Sequence, residues 1–448
     1  MKYRIERRIT MSNEKTKKAV IAEKDYPLSH VPREARTGLL AVTGVLIGFT
    51  FFTPTMAAGA RLGAAFPFSE LIWILLAGSA ILGFYVAIIC AIGAKTGLTS
   101  VLLARYTLGS AGAKWADIIL GGTQVLWYAI TAEYMGMLFA KGLGLPGWEI
   151  FFIIFWSVVM GATALYGFKS MAIVSYVAMP LMAALVVIVT WLAFKEVGSM
   201  ENLFGMQPTT TMSITVAITV IVGTFASGGT QAANWARFAK DGKTAFIAAI
   251  LSFLVGNGIM VFSGMVGGFA FQTGDLIELM ISMGLTFWAL IILTLNIWTT
   301  NNATAYAFGV AGAEMFNKSD KGPFIIGGIV IATVVAVAGV GAYFIPLLNL
   351  FGTFIPPLGG VIIGDFFFTY GKNLPMLDYV KFKKLRISPL IAYLVGCAAA
   401  YFGGVYEIGV PSLQGIIIAA FAVPVANGIL KAMKINDMHE IYEDAKYV

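Results

Sequence analysis

Gln124 and Trp127 could together bind a flat, polar molecule. They are three residues apart, so in a helix both side chains lie on one face. A glutamine amide both donates and accepts hydrogen bonds, and an indole ring offers a flat surface for stacking. The pair therefore suits a planar heterocycle with an amide-like edge. Ordinary helix packing is the alternative for either residue taken alone.

Phe225 and Ser227 could complete such a site from a second helix. Phe225 would supply the opposite stacking face. The hydroxyl of Ser227, with exposed backbone beside it, would read the remaining polar edge. Core packing is again the alternative for the phenylalanine.

A third set of residues could hold a cation. Asn296, Thr299 and Thr300 stand at i, i+3 and i+4, on one face of a helix. With carbonyls freed near Gly48 and Phe51 they would form an uncharged cage of oxygen atoms, which suits Na⁺ better than a transition metal. In the alternative interpretation, the threonine hydroxyls bond back to carbonyls one turn earlier.

The elements that must position these residues are membrane-spanning helices. The chain has 448 residues, of which 58% are hydrophobic and only 12% charged, so it needs a lipid solvent. Continuous apolar runs predict helices rather than barrel strands. Twelve runs are long enough to span a bilayer: 38–60, 70–94, 112–139, 148–168, 171–194, 213–236, 244–270, 285–313, 323–342, 345–369, 387–404 and 411–430.

The placement of basic residues predicts the orientation of these spans. With the N-terminus inside, 27 of the 30 Lys and Arg residues fall in the tails and inner loops or at the inner ends of spans. We therefore predict a multi-pass protein of the inner membrane. Its tails, 1–37 and 431–448, would both be cytoplasmic. The net charge of +7 resides in tails and loops, so it does not indicate nucleic-acid binding.

The spans fall into two similar halves. The first and sixth spans share a pattern centred on Gly48 and Gly223, and the third and eighth carry Gln124 and Asn296 with a neighbouring Trp. Because the first span enters from inside and the sixth from outside, the repeats would be inverted, and such symmetry is typical of transporters with a mid-bilayer site. The predicted regions are repeat 1 at 38–194, repeat 2 at 213–369 and two further spans at 387–430.

Both central helices are predicted to be broken. Pro54 lacks an N–H, so the carbonyl of Thr50 loses its helical partner. The run 227–229, Ser-Gly-Gly, has low helix propensity and is expected to unwind. Kinks between packed helices are the alternative. Matched breaks favour a transporter over a channel, for which no filter-like repeat or charged ring is present.

Ionisable groups narrow the functional classes further. Glu133 lies roughly 13 Å beyond Gln124 along the helix, which predicts a solvated carboxylate at the outer interface. Central carboxylates are scarce, which favours Na⁺ over H⁺. His30 and His439 lie in the polar tails, so we expect neither a histidine metal site nor an enzyme active site within the membrane. No organic cofactor is expected.

Several motifs resemble those of the cytosine permeases, members of the nucleobase:cation symporter family. The resemblance runs from about Val31 to the twelfth span. Its motifs are GAKTGLT (93–99), LAR (103–105), GGTQV (121–125) with Trp127, LNIWTTN (295–301) and IPPLGGVII (355–363).

The resemblance implies a leucine-transporter type of fold, with ten helices in two inverted repeats plus two more. It implies that Gln124, Trp127 and Phe225 bind the base, and that Ser227 and Asn301 lie near its polar edge. It further implies a sodium site, formed by the carbonyls and hydroxyls of Gly48, Phe51, Asn296, Thr299 and Thr300.

Three departures from the family pattern affect the substrate. They are Thr53-Pro54-Thr55, Gln231 after Ser227, and Glu133. Each could change which heterocycle the pocket binds. The sequence thus predicts a sodium-coupled nucleobase importer with alternating access and cytosine as first substrate. A same-fold transporter of hydroxymethylpyrimidine, uracil, allantoin, hydantoin or a purine, with proton coupling, is the alternative. The oligomeric state stays open.

Overall fold

The computed structural model describes Tyr26 and residues 29–165, 168–316, 318 and 320–448. Most of the predicted N-terminal tail, 1–37, lies outside the described residues. Within the described chain the architecture is almost entirely helical.

The helices of the first half run from the N-terminal tail to residue 205. Their bounds are α1 Leu39–Thr50, α2 Thr53–Gly63, α3 Phe68–Thr96, α4 Ser100–Gly142, α5 Glu149–Leu165, α6 Phe168–Val197 and α7 Met200–Gly205.

The helices of the second half run from residue 214 to the C-terminal tail. Its first helices are α8 Ile214–Thr230, α9 Ala233–Ala236, α10 Gly242–Ala249, α11 Asn257–Ala270, α12 Leu276–Ser282 and α13 Thr286–Met315. Its last are α14 Gly322–Val337, α15 Phe344–Phe354, α16 Pro356–Gly364, α17 Ile387–Val405 and α18 Pro411–Ala432. Wider π-helical turns, Ile250–Gly256 and Asp365–Thr369, extend α10 into α11 and continue α16.

Every predicted span contains helix in the structure. Among the described residues, six helices are long and apolar enough to cross a bilayer, or seven if the bent pair α1–α2 is one span. Three shorter apolar helices are α5, α8 and α14. The number of twelve spans therefore stays a prediction.

The first helix break is real, but its predicted cause was wrong. α1 and α2 meet at 56°, and the break falls at Phe51 and Phe52. Pro54 is the second residue of α2. A missing N–H costs nothing there, because the first N–H groups of a helix have no partner within the helix. Pro54 thus begins the second half-helix rather than kinking the first.

The second break is also displaced from its predicted position. The non-helical residue is Phe225, with φ −132° and ψ 19°, whereas residues 227–229 are helical. The two glycines serve close packing instead. A Cβ at Gly228 would lie 2.7 Å from the Phe49 ring, and one at Gly229 would lie 2.5 Å from Val86.

Small residues also let α2 and α11 pack backbone to backbone. A Cβ added at Gly264 would lie 2.0 Å from the carbonyl oxygen of Met56, and one at Gly59 would lie 2.2 Å from that of Val261. Such close approach is typical of helix pairs in membranes, where small residues form the interface. It fixes α2, and with it the first break, against a long neighbour.

One end of the helical body is covered by the tails and loops. Val380–Lys381 and Glu440–Ile441 form a two-stranded antiparallel pair, which the all-helical prediction did not include. The backbone N–H of Val31 donates to the carbonyl of Gly97 at 3.0 Å. The two tails are therefore docked on the loops that join the helices.

Candidate functional site

The two helix breaks carry an aromatic cluster. Phe52, in the first break, has its ring centroid 5.3 Å from that of Trp127 and 5.8 Å from that of Phe225, edge-on in both cases. Trp127 and Phe225 are 5% and 3% exposed. The structure thus brings both predicted stacking residues into one cluster, with Phe52 in contact with each.

Sequence reasoning missed Phe52. Its position at the break, between the end of α1 and the start of α2, was the available signal, because broken helices form the binding sites of many transporters. Phe351 of α15 also joins the cluster, with its ring 5.9 Å from Trp127.

Ser227 is the centre of the polar part of the site. Its Oγ lies 2.6 Å from Thr123 Oγ1, 3.4 Å from Gln124 Nε2 and 3.2 Å from Gln231 Nε2. The Thr123 hydroxyl donates to the Leu120 carbonyl at 2.8 Å, so the Ser227 hydroxyl is the donor in that pair. Ser227 therefore uses its one proton and both lone pairs.

Thr123 and Gln231 were not predicted as site residues. Gln231 was noted only as a departure from the family pattern. It lies one turn beyond Ser227, at the C-cap of α8, and it is 7% exposed. The i, i+4 spacing of Ser227 and Gln231 was the signal that could have placed both on one face.

Asn301, which was predicted to lie near the polar edge of the base, contacts Thr131 and Met160. Its Oδ1 accepts a hydrogen bond from Thr131 Oγ1 at 2.5 Å, and its Nδ2 contacts Met160 Sδ at 3.4 Å. The Thr131 hydroxyl also lies 2.7 Å from the carbonyl of Trp127. Asn301 thus reaches the backbone of the stacking residue through Thr131, which lies about two turns beyond Thr123 and Gln124 on α4.

The Asn296 side chain joins the first break to α13 through hydrogen bonds. Its Oδ1 accepts from both the N–H and the hydroxyl of Thr53, at 2.9 and 2.8 Å, and its Nδ2 donates to the Phe51 carbonyl at 2.6 Å. The side chain thereby satisfies the last carbonyl of one half-helix and the first N–H of the next. These are the groups that a broken helix leaves without partners.

Four of the five predicted cation ligands contact one another around Asn296. The hydroxyls of Thr299 and Thr300 both donate to the carbonyl of Asn296, at 2.8 and 2.9 Å, which are the back-bonds of the alternative interpretation. Gly48 lies one turn before the break, where a Cβ would approach Met179 Sδ to 3.0 Å. Phe51, Asn296, Thr299 and Thr300 are thus linked by direct hydrogen bonds, and Gly48 is close in the chain.

A cavity of about 290 Å³ lies next to the aromatic cluster. Its wall includes Pro54, Arg61, Ile130, Tyr134 and Phe344. The Phe344 ring centroid is 6.5 Å from that of Trp127, so one ring borders both the cavity and the cluster.

Glu133 also lines this cavity, and it is half-buried. Its Oε2 accepts a hydrogen bond of 2.6 Å from the backbone N–H of Gly341, just before α15. A Cβ at Gly341 would lie 2.9 Å from the carboxylate, so a larger residue there would displace the end of the Glu133 side chain. Glu133, which was predicted to be a solvated carboxylate, is thus hydrogen-bonded through one of its two oxygens.

Comparisons with known proteins show the family of the chain. Residues 30–423 match the family described as permeases for cytosine/purines, uracil, thiamine and allantoin. The chain belongs to this permease family. It is 33% identical over 409 residues to the cytosine permease of Escherichia coli (strain K12), covering 91% of this chain and 95% of that protein. These relatives are permeases, and the permease described here is not an enzyme.

Solved structures show the same fold at low sequence identity. The inward-facing conformation of Mhp1 has a TM-score of 0.78 at 16% identity, covering 93% of this permease and 95% of Mhp1. A closed Mhp1 with bromovinylhydantoin bound, a nucleobase-cation-symport-1 family transporter, has a TM-score of 0.74 at 15% identity, covering 91% and 96%. A Na⁺-coupled sialic acid symporter has a TM-score of 0.51 at 14% identity, covering 91% and 96%.

Proposed function

We propose that this permease imports a nucleobase, with cytosine as first substrate, by sodium-coupled symport and alternating access. The observation that carries the proposal is the meeting of aromatic and amide side chains at two helix breaks. The cytosine permease of Escherichia coli, with 33% identity over nearly the whole chain, supports cytosine as the substrate.

The chemistry of the site matches a pyrimidine. The base would stack between Trp127 and Phe225, with Phe52 moving aside or bordering the ring edge. Gln124 would bond the amide-like edge of the base. Its present contact to Ser227 is long, at 3.4 Å, so little is lost when the amide turns toward a ligand.

Sodium would bind as the co-substrate where Asn296 joins the break. The ligands in this proposal are the carbonyls of Gly48, Phe51 and Asn296 with the hydroxyls of Thr299 and Thr300. Both hydroxyls now donate to the Asn296 carbonyl, and a rotation about Cβ–Oγ would aim their lone pairs at an ion instead. Uncharged oxygen ligands of this type suit Na⁺.

Coupling between the ion and the base would follow from the hydrogen bonds that Asn296 makes to the first break. Asn296 holds the Phe51 carbonyl that the ion would bind, and Phe52 beside it contacts both stacking rings. An ion that orders this break therefore orders the base site as well. The Na⁺-coupled sialic acid symporter supports sodium as the ion, through likeness of fold.

Alternating access would use two inverted repeats, 38–194 and 213–369, with 387–430 added. Matching close contacts support the repeats. α2 packs tightly on α11, and the corresponding α8–α9 segment packs on α3, where a Cβ at Gly93 would lie 2.7 Å from Ala233. The distribution of basic residues supports the inner membrane as the location, with both tails cytoplasmic.

The test is uptake of radiolabelled cytosine into proteoliposomes. We expect an inward Na⁺ gradient to stimulate uptake, choline to fail as a replacement, and unlabelled cytosine to compete better than uracil, adenine, hydantoin or hydroxymethylpyrimidine. Uptake driven equally by a pH gradient without Na⁺ would contradict sodium coupling. Better competition by another heterocycle would change the substrate, and would direct attention to Thr53, Glu133 and Gln231.

A further inference from the structure

The 290 Å³ cavity beside the aromatic cluster has polar groups that the base site does not use. It lies along α4, where Ile130 and Glu133 follow Trp127 by one and two turns. Its wall also includes Phe344, which contacts Trp127. A molecule in the cavity would therefore be separated from the base site by a layer of side chains only.

Arg61 presents an unused guanidinium to this cavity. Its Cζ stands 4.6 Å from the centroid of the Phe344 ring, and Arg61 is half-buried. In the described part of the chain it is in no ion pair or hydrogen bond. A planar fork of N–H donors is thus held in place by an aromatic ring and has no acceptor.

Tyr134 adds a second unsatisfied group. Its hydroxyl oxygen is buried and has no hydrogen-bond partner among the described residues, although the side chain lines the cavity. A buried hydroxyl without a partner costs about 1–3 kcal/mol. A ligand that accepts from or donates to this hydroxyl would recover that cost.

The remaining charges of the cavity are largely satisfied. Lys141 Nζ binds Asp275 Oδ2 at 2.8 Å and Glu278 Oε1 at 3.5 Å, and Asp275 Oδ1 accepts from the N–H of Ile277. Glu133 uses Oε2 for Gly341 and keeps Oε1 for another donor. One cationic donor fork and one carboxylate oxygen are therefore available together.

We propose that this cavity is a second binding site for the same class of ligand, a neutral planar heterocycle, which it would hold before the ligand reaches the Gln124 site. The proposal rests on the proposed function for the identity of the ligand. A cytosine-like ring has adjacent acceptors, a carbonyl oxygen and a ring nitrogen, that fit the two-pronged fork of Arg61. Its amino group would donate to Glu133, whose charge disfavours an anion.

The test is protection of a cysteine in the cavity wall. Met137→Cys places a thiol on the lining, while the native Cys90 and Cys397 are buried. The full-length variant in nanodiscs is labelled with a water-soluble maleimide at increasing cytosine concentrations. Thr211→Cys, which lies outside the cavity, serves as the matched control.

The base site around Gln124 and Trp127 must be disabled. Otherwise cytosine bound there could reduce labelling by closing the cavity. In a Gln124→Ala, Trp127→Ala background we expect cytosine still to slow the labelling of Met137→Cys and to leave Thr211→Cys unaffected. Arg61→Gln in the same background should raise the half-protecting concentration at least about ten-fold, since hydrogen bonds to charged groups are the strong ones. Tyr134→Phe should raise it several-fold, and it preserves the shape of the side chain.

Each result decides the proposal. Protection that vanishes with the base-site substitutions, or that Arg61→Gln and Tyr134→Phe leave unchanged, would overturn the second site. A separate measurement tests the proposed function: it fails if the wild-type permease takes up no cytosine. Cytosine protection that persists without uptake would support the cavity site while the transport assignment fails.

Discussion

Asp365 and Arg386 form an ion pair in which Oδ2 and Nη1 are 2.6 Å apart and both side chains are at most 1% exposed. Arg386 Nη1 also donates to the Tyr106 carbonyl, and its Nε donates to the carbonyl of Asp437. One guanidinium thus joins the end of the α16 region, the first turns of α4, the start of α17 and the C-terminal tail. This junction was not predicted from the sequence.

Arg386→Met should destabilise the permease strongly. It leaves the Asp365 carboxylate buried without its partner, and loss of one member of a buried pair costs about 3–5 kcal/mol. Asp365→Leu combined with Arg386→Met should recover much of that loss, because no unpaired charge remains. Thermal unfolding of the detergent-purified proteins would measure this. Equal losses in the single and double variants would show that Arg386 acts through its backbone contacts instead.

Docking of the C-terminal tail should weaken in acid because of His439. Burial, with the positive charge of Arg386 nearby, lowers the pKa of His439 from 6.5 to about 4. Its Nδ1 accepts from the N–H of Lys383 at 3.1 Å, which only the neutral ring can do. The docked tail binds fewer protons than the free tail, so docking is fully stable above pH 6.5 and weakens as pH falls toward about 4.

Hydrogen exchange of residues 436–448 at pH 7, 6 and 5 would follow this change. His30 also has a lowered pKa, caused mainly by burial, so the two histidines must be separated. His439→Gln removes the titrating group from the tail. The protection of residues 436–448 against exchange should therefore depend much less on pH in this variant. A tail whose protection is the same in wild type and variant at every pH would contradict the role of His439.

The sequence could predict the apolar spans and the face shared by Gln124 and Trp127, because both follow from helical periodicity and composition. The positions of the breaks were predicted less well. Propensity identified Pro54, yet the break falls earlier, at Phe51 and Phe52, where the Asn296 side chain satisfies the freed backbone groups. That partner lies 243 residues beyond Thr53, so no local rule could find it.

Trp127→Ala should weaken cytosine binding about 5- to 100-fold, since stacking of a base on an aromatic ring contributes about 1–3 kcal/mol. Trp127→Phe should keep most of the affinity, because a flat ring remains. Equilibrium binding of labelled cytosine to the purified protein would measure both. Trp73→Ala is the matched control, since this Trp is 73% exposed and outside the site. An unchanged affinity in Trp127→Ala would remove this residue from the base site.

Asn296→Ala should abolish the stimulation of uptake by Na⁺. It removes the partner of both the Phe51 carbonyl and the Thr53 N–H, so the break loses the geometry that the ion would need. Thr53→Val removes only one of these contacts and should raise the half-activating Na⁺ concentration by several-fold. Initial uptake rates across a Na⁺ series would give both values. Na⁺ activation that persists unchanged in Asn296→Ala would place the ion elsewhere.

Gln231→Ala should tighten cytosine binding, by about three- to ten-fold. The Ser227 hydroxyl already makes hydrogen bonds to Thr123, Gln124 and Gln231, so both of its lone pairs are occupied. A ligand N–H can bind this hydroxyl only after one of the two glutamine amides moves away. Removal of Gln231 frees a lone pair in advance, whereas Ser227→Ala should weaken binding. Competition by cytosine, adenine and uracil in the two variants would measure the effect. A loss of cytosine affinity in Gln231→Ala would instead mean that Gln231 contacts the base directly, and that this departure from the family pattern selects the substrate.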